Sequence, residues 1–157
     1  GYAMNYINIA MCAARLPVRF VTMVVCVLDP VNRRLTMATA GHMSPLVLRT
    51  SGKLEEPITE DNGGIPIGVS GNWEFDVTTI GLKPGERVVL YTDGITEAMN
   101  EHGEMYGDER LSERIKGSES GLPSADLGKS IIDDVHVHIG NGVQNDDITL
   151  LVFGCDG

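Results

Sequence analysis

Between Leu28 and Leu35 the chain has room for a turn and for nothing longer. An apolar, β-branched run, FVTMVVCVLDP (20–30), ends there in Asp-Pro, and a second run, RRLTMATAGH (33–42), follows at once. Parallel neighbours need a crossover of a dozen or more residues, so these two segments are predicted to be antiparallel strands of one hairpin, the first of them buried. The constraint recurs along the chain. SPLVLRTSGK (44–53) reads as a third strand with Ser-Gly as its turn, NGGIPIGVSG (62–71) as a glycine-rich loop, and NWEFDVTTIGL (72–82) as a half-exposed strand. LKPGERVVLYTDG (82–94) holds a Pro-Gly turn and another strand, and DDITLLVFGC (146–155) is a β-rich run returning to the core.

Helical patterns flank the strands. Residues 3–15 carry Met4, Ile7, Met11 and Ala14 at helical spacing, and Pro17 ends the run. Later come a short helix over 95–101, a second over Asp108 to Lys116 with Leu111 and Ile115 four apart, and a third from Pro123 to about His138. In the third, Leu127, Ile131 and Val135 form the apolar stripe and Ser124 is the expected N-cap. Strands dominating the first two-thirds and helices the end define an α+β fold with largely antiparallel sheet. Its 157 residues suffice for one domain with its own core.

Charge and composition narrow the function. Twelve basic against 22 acidic residues give a net charge of −10, which disfavours binding to a phosphate backbone, so no nucleic-acid partner is expected. No apolar run approaches the roughly 20 residues of a membrane span, and the opening residues lack the basic stretch of a signal peptide, so no membrane and a cytoplasmic location are expected. Cys12, Cys26 and Cys155 lie far apart with no CxxC pair and read as free thiols.

Two acidic positions stand out. Asp93 follows the apolar run Val88–Tyr91 and precedes Gly94, and Asp146-Asp147 immediately precede ITLLVF. An unpaired carboxylate at the end of a buried strand is costly. If the two strands are neighbours, the carboxylates meet at one end and repel unless a cation lies between them. Oxygen ligands without His or Cys point to Mg²⁺ or Mn²⁺. Asp-Gly and Asn-Asp are also common turn pairs, and spacing alone leaves both readings open. Other candidates have ordinary explanations. His136 and His138 read as solvated helix histidines, His102 as a turn residue, and Glu97 as a favourable charge at a helix start. Ser44 and Ser70 have no His/Asp partners nearby in sequence, which disfavours a serine nucleophile.

Taken in order, FVTMVVCVLDP, ATAGHMSPLVL, GGIPIGV, LKPGERVVLYTDGITEAMNEHGEMYGDERL and NDDITLLV resemble the SpoIIE/RsbU-type branch of the PPM metal-dependent serine/threonine phosphatases, over about residues 4 to 153. The resemblance implies an α-β-β-α sandwich with a dinuclear Mn²⁺ or Mg²⁺ site at one end of the sheets. It implies that Asp93 and Asp146 are metal ligands, and that Asp147 and Gly94 support them from behind. His42 takes a structural or substrate-side position, and Gly64 and Gly68 lie in a flexible loop beside the site. The reaction it implies is hydrolysis of phosphoserine or phosphothreonine on a regulatory protein, of the anti-sigma-factor antagonist type in partner-switching signalling. The family's N-terminal motifs, Gly-Asp-aromatic-aromatic-Asp and Asp-Val-x-Gly-His-Gly, are not in this sequence. The expectation is therefore a single partial domain over 1–157, its N-terminal part missing, with weak metal binding. Uncovered sheet edge would favour self-association. The competing expectation is a catalytically dead interaction module of the same fold.

Overall fold

The computed structural model describes residues 1–14, 20–59, 61–119, 121–144 and 146–155. In chain order the elements are α1 (Tyr2–Ala13), β1 (Met23–Asp29), β2 (Arg34–Ala40), β3 (Leu46–Leu48), β4 (Leu54–Glu55), β5 (Thr78–Gly81), β6 (Arg87–Tyr91), α2 (Asp93–Thr96), α3 (Asp108–Lys116), α4 (Ser124–Ile139) and β7 (Leu150–Gly154). They fall into two compact units, one of Gly1–Ser44 with Glu56–Leu82 and one of Pro45–Glu55 with Lys83–Gly157. Every strand pairing within the two sheets is antiparallel, as the short connections require.

The first unit holds the sheet β1-β2-β5. The hairpin pairs Leu28 with Leu35 and Cys26 with Met37. Asp29 closes its turn by accepting the backbone N–H groups of Val31 and Asn32, both at 3.0 Å. Strand β2 is the buried one, with Leu35, Met37, Ala38, Thr39 and Ala40 all in the interior. Strand β1, expected to be buried, is an edge strand: Val27 is 62% exposed and Leu28 43%. Among the described residues β2 is its one strand partner. The strand expected over 72–82 is paired only at Thr78–Gly81. Phe75 is instead buried in a cluster with Met4, Ala38, Ala40 and Ile67. Its N–H is taken by the Asn5 side chain at 3.0 Å.

Helix α1 forms where the spacing placed it, but its inward face differs. Met4 is buried and Met11 half-buried, while Ile7 is 40% exposed and its place inside is taken by Asn8, fully buried. The reason is polar satisfaction. The Asn8 amide donates to the Ser70 carbonyl at 2.7 Å and its oxygen accepts from Gly68 N–H at 2.9 Å. The Asn8 amide thus bonds the loop twice, at the Gly68 N–H and at the Ser70 carbonyl, which also accepts Trp73 N–H at 3.2 Å, and an apolar side chain would bond neither.

The second unit holds the sheet β4-β3-β6-β7. Leu46, Leu48, Val89 and Tyr91 from the sheet pack with Leu111 and Ile115 of α3 and Leu127, Ile131, Val135 and Ile139 of α4. Both helix stripes are the predicted ones, and α3 has the predicted bounds. Ser124 is the first helical residue of α4 rather than its N-cap. Pro123 is the N-cap, and its carbonyl takes the N–H groups of Asp126 and Leu127 at 3.0 Å. Helix α2 is shorter and earlier than expected. The chain leaves it into a loop centred on Asn100, whose side-chain oxygen accepts the N–H groups of His102 and Glu104 at 2.9 and 3.0 Å.

A polar clamp joins α3 to α4. Arg110 grips Asp134 with two bonds of 3.1 Å, and Tyr106 donates its hydroxyl to the same carboxylate at 2.7 Å. His138 is part of it and is not a solvated helix histidine: Arg110 Nη1 lies 3.0 Å from Nδ1 and the Glu104 carbonyl 3.0 Å from Nε2. A guanidinium only donates and a carbonyl only accepts, so the ring is the Nε2–H tautomer. The Arg110 bonds hold the Asp134 carboxyl below its ordinary range. A depressed carboxyl contributes stability above its unfolded value, and that contribution is lost as pH falls through the folded value. The difference in melting temperature between the native chain and Asp134→Asn should therefore be full at neutral pH. It should close below about pH 4. A difference that persists unchanged to pH 2.5 would contradict the clamp's ionic character.

Candidate metal centre

Strands β6 and β7 are neighbours, and their last pair is Tyr91 with Leu150. The contact continues past the strands. Thr92 N–H donates to the Thr149 carbonyl at 3.1 Å, and the Thr92 hydroxyl donates to the Asp147 carbonyl at 2.9 Å while accepting Thr149 N–H at 3.0 Å. The geometric condition set by the sequence is met: the Asp93 and Asp146 segments leave neighbouring strands at one end of one sheet. Asp93 is nevertheless exposed, not buried with its strand. Tyr91 is the last strand residue in the core, Thr92 is half-buried, and the chain turns outward into α2. The desolvation cost raised by the sequence is thus largely avoided without a partner.

Asp93 Oδ1 accepts Gly94 N–H at 3.0 Å, and its carbonyl takes Glu97 N–H at 2.8 Å and the Thr96 hydroxyl at 3.2 Å. Gly94 is buried directly against the Asp147 backbone. Asp146 is exposed, accepts Asp147 N–H on Oδ1 at 2.7 Å, and has its carbonyl held by the Gln144 amide at 2.8 Å. Asp147 is exposed and takes part through its backbone carbonyl. A cavity of about 140 Å³ lies among Gly94, Glu97, Ala98, Met99, Ile139, Gln144 and Asp146. Thr92, Gln144 and the lining role of Glu97 were not singled out from sequence. Thr92 carries a readable signal, a hydroxyl directly before Asp-Gly at a strand end. Gln144 carries none.

The donor chemistry fits a hard divalent cation, since the side chains offered are carboxylates and an amide oxygen. In number it is partial. Among the described residues no group of three or more His, Cys, Asp or Glu side chains is placed to hold a metal.

The remaining candidates lie in the first unit. His42 is half-buried with Nδ1 3.4 Å from the Thr22 hydroxyl. It shares a cavity of about 500 Å³ with Thr39, Gly41, Ser44, Thr59 and Gly64. Gly41 N–H donates to the Gly64 carbonyl at 3.1 Å. Gly64 has φ +61°, and a Cβ there would stand 2.7 Å from the Thr39 carbonyl oxygen, so glycine is required. Gly68, with φ +94°, is not part of this cavity. It belongs to the contact with Asn8 of α1.

The family described as Stage II sporulation protein E (SpoIIE) matches residues 2–156. Protein IcfG of Synechocystis sp. is 29% identical over 132 residues, which is 84% of this chain and 20% of that protein. The phosphatase domain of SpoIIE from Bacillus subtilis, presoaked with manganese, superposes with a TM-score of 0.70 at 20% identity, covering 99% of this chain and 65% of the other. The SiaA-PP2C domain of Pseudomonas aeruginosa gives 0.77 at 24%, covering 95% and 58%. The RsbU and RsbW domains of Rv1364c from Mycobacterium tuberculosis give 0.74 at 24%, covering 91% and 38%. The fold is therefore the α+β, antiparallel-sheet fold of PP2C phosphatase domains. The chain belongs to the SpoIIE family, and the solved structures it resembles include PP2C phosphatase domains. It spans about a fifth of IcfG and 65% of the solved SpoIIE domain.

Proposed function

We propose that the two units together are part of one metal-dependent phosphatase domain that hydrolyses phosphoserine or phosphothreonine on a regulatory protein. The substrate class is a phosphorylated anti-sigma-factor antagonist in a partner-switching system, and the setting is the cytoplasm. One observation carries the reading: in a SpoIIE-family chain, the Asp93 and Asp146 segments leave neighbouring strands at the same end of one sheet. Asp93 and Asp146 would hold Mn²⁺ or Mg²⁺, and the bound ions supply Lewis-acid activation of water and neutralisation of phosphoryl charge. The chain's own residues set the frame. Thr92 and the Asp147 carbonyl lock the two segments together, and Gly94 lets the backbones approach. The free thiols of Cys12, Cys26 and Cys155 fit a reducing compartment. The exposed Val27 and Leu28 on the edge strand β1, and Leu151 on β7, support self-association.

The test is Mn²⁺-dependent hydrolysis of a small aryl phosphate by this chain and by a form extended with the rest of the phosphatase domain. Activity is expected in the extended form. Asp93→Asn should lower it by more than the roughly 10–100-fold that losing a ligand's hydrogen-bond partner costs. The partial donor set favours a second reading, a catalytically silent module of the same fold that binds a partner. Absence of both hydrolysis and Mn²⁺ binding in the extended form would establish that module in place of the enzyme.

A further inference from the structure

The segment that carries Asp146, residues 140–144 with 146–147, meets the segment that carries Asp93, residues 92–101, at two places. The first is the Thr92–Asp147 contact at the strand ends. The second lies at the far side of the small cavity. There the Glu101 carboxylate accepts Asn141 N–H on Oε1 at 3.0 Å. Beside it Gly142 lies so close to the neighbouring backbone that a Cβ would stand 2.9 Å from the Ile139 carbonyl oxygen and 3.0 Å from that of Met99. Asp146 lies between these two attachments, on a stretch that β7 pairing does not reach and that follows the end of α4. With the second attachment gone, the stretch would keep its strand-end contact and the Gly142 N–H bond to the Ile139 carbonyl at 2.8 Å, which ties it to α4 and not to the Asp93 segment.

Glu101 is exposed, so neither core packing nor helix formation accounts for its contact. It lies in the turn that leads away from α2, five residues after the helix ends. We propose that Glu101 is a positioning residue: its hydrogen bond to Asn141, with the close approach of Gly142, holds the Asp146 loop against the Asp93 segment and so sets where the two carboxylates stand relative to each other. Its consequence for metal binding rests on the reading under Proposed function. The bond needs an acceptor at the end of a side chain of this length and does not need a charge.

The experiment is solution NMR on the full chain as the native form, Glu101→Ala, Glu101→Gln and Gly142→Ala. Amide exchange reports on the loop without any metal. Line broadening by added Mn²⁺ at the amides of 93–94 and 146–147 reports on the site. Glu101→Ala and Gly142→Ala should speed exchange at 141–147, leaving α4 and Leu150–Gly154 unchanged. They should also raise the Mn²⁺ concentration for half-broadening about tenfold, the low end of what supporting contacts to ligands are worth. Glu101→Gln should match the native chain in both. Unchanged loop exchange in Glu101→Ala, or equal loosening in Glu101→Gln, overturns the proposal and leaves the metal reading standing. A loop freed by Glu101→Ala in a chain that shows no Mn²⁺ broadening supports the positioning role, and the metal reading is then decided by Mn²⁺ binding in the extended form.

Discussion

Gly94→Ala should lower the stability of the chain by about 2 kcal/mol, seen as a lower urea midpoint with an unchanged slope. Two effects oppose each other at this position. Gly94 is the second residue of α2, and alanine is the better helix former by roughly 0.8–1.0 kcal/mol. Against that, a Cβ built on Gly94 falls well inside contact distance of the Asp147 carbonyl oxygen and 2.9 Å from its carbon. Those are backbone atoms, and the Thr92 hydroxyl bond and the Thr149 N–H bond fix them in place. No rotamer change can relieve the contact, so the overpacking cost, about 1–3 kcal/mol and occasionally more, outweighs the propensity gain. The same displacement would push the Asp146 segment from the Asp93 segment. A midpoint equal to or above that of the native chain would show that the two segments are not packed as described.

The second large effect is expected at Arg87. This strand residue is 4% exposed, and its guanidinium donates to the carbonyls of Leu122 at 2.9 Å, Glu86 at 3.1 Å, Cys155 at 3.4 Å and Gly121 at 3.5 Å. It lies flat on Gly154, where a Cβ would come within 2.7 Å of it. Five donors in a rigid fork thus tie the α3–α4 connection and the end of β7 to β6. Arg87→Ala would take this donor from the Leu122 and Gly121 carbonyls, while those of Glu86 and Cys155 keep the N–H groups of Cys155 and Gly85, and would open a void, at a cost of about 3 kcal/mol. Arg87→Lys should recover only part of it, since an ammonium cannot address separated acceptors in one plane. Urea unfolding measures the cost, and amide exchange at Gly121 and Leu122 should rise first. An Arg87→Ala chain within 0.5 kcal/mol of native would rule out this role.

Several elements were legible from residue order. The helices α3 and α4 and their buried stripes follow from apolar residues three and four apart, and the β1–β2 hairpin follows from a connection too short for anything else. Asp93 and the Asp146-Asp147 pair were also legible as carboxylates next to apolar strand runs, with a turn and a cation site both open as readings. Elements that depend on partners distant in sequence were not. The two-residue strand β4 has no periodicity to read and exists because it pairs with β3. Val27 and Leu28 look like core residues, yet among the described residues β1 stands at the edge of its sheet and both side chains are exposed. Asn8 looks like a polar interruption of a stripe, and its burial depends on the carbonyl of Ser70, 62 residues away. His138 looks solvated until Arg110 and the Glu104 carbonyl are brought to its two nitrogens.

Local order in this chain is a matter of neighbours within a turn or two. The sequence by itself therefore determined the β1–β2 hairpin, the strands β6 and β7, the helices α3 and α4, the antiparallel sense of the pairing, and carboxylates next to two apolar strand runs. Only the tertiary structure decided that β6 and β7 are adjacent, that Thr92 and Gly94 join the Asp93 and Asp146 segments, and that Glu101 reaches Asn141. These contacts link residues 40 to 67 positions apart in the chain. Loop-closure entropy opposes such contacts one at a time, so they form only when the whole core of the second unit closes around them.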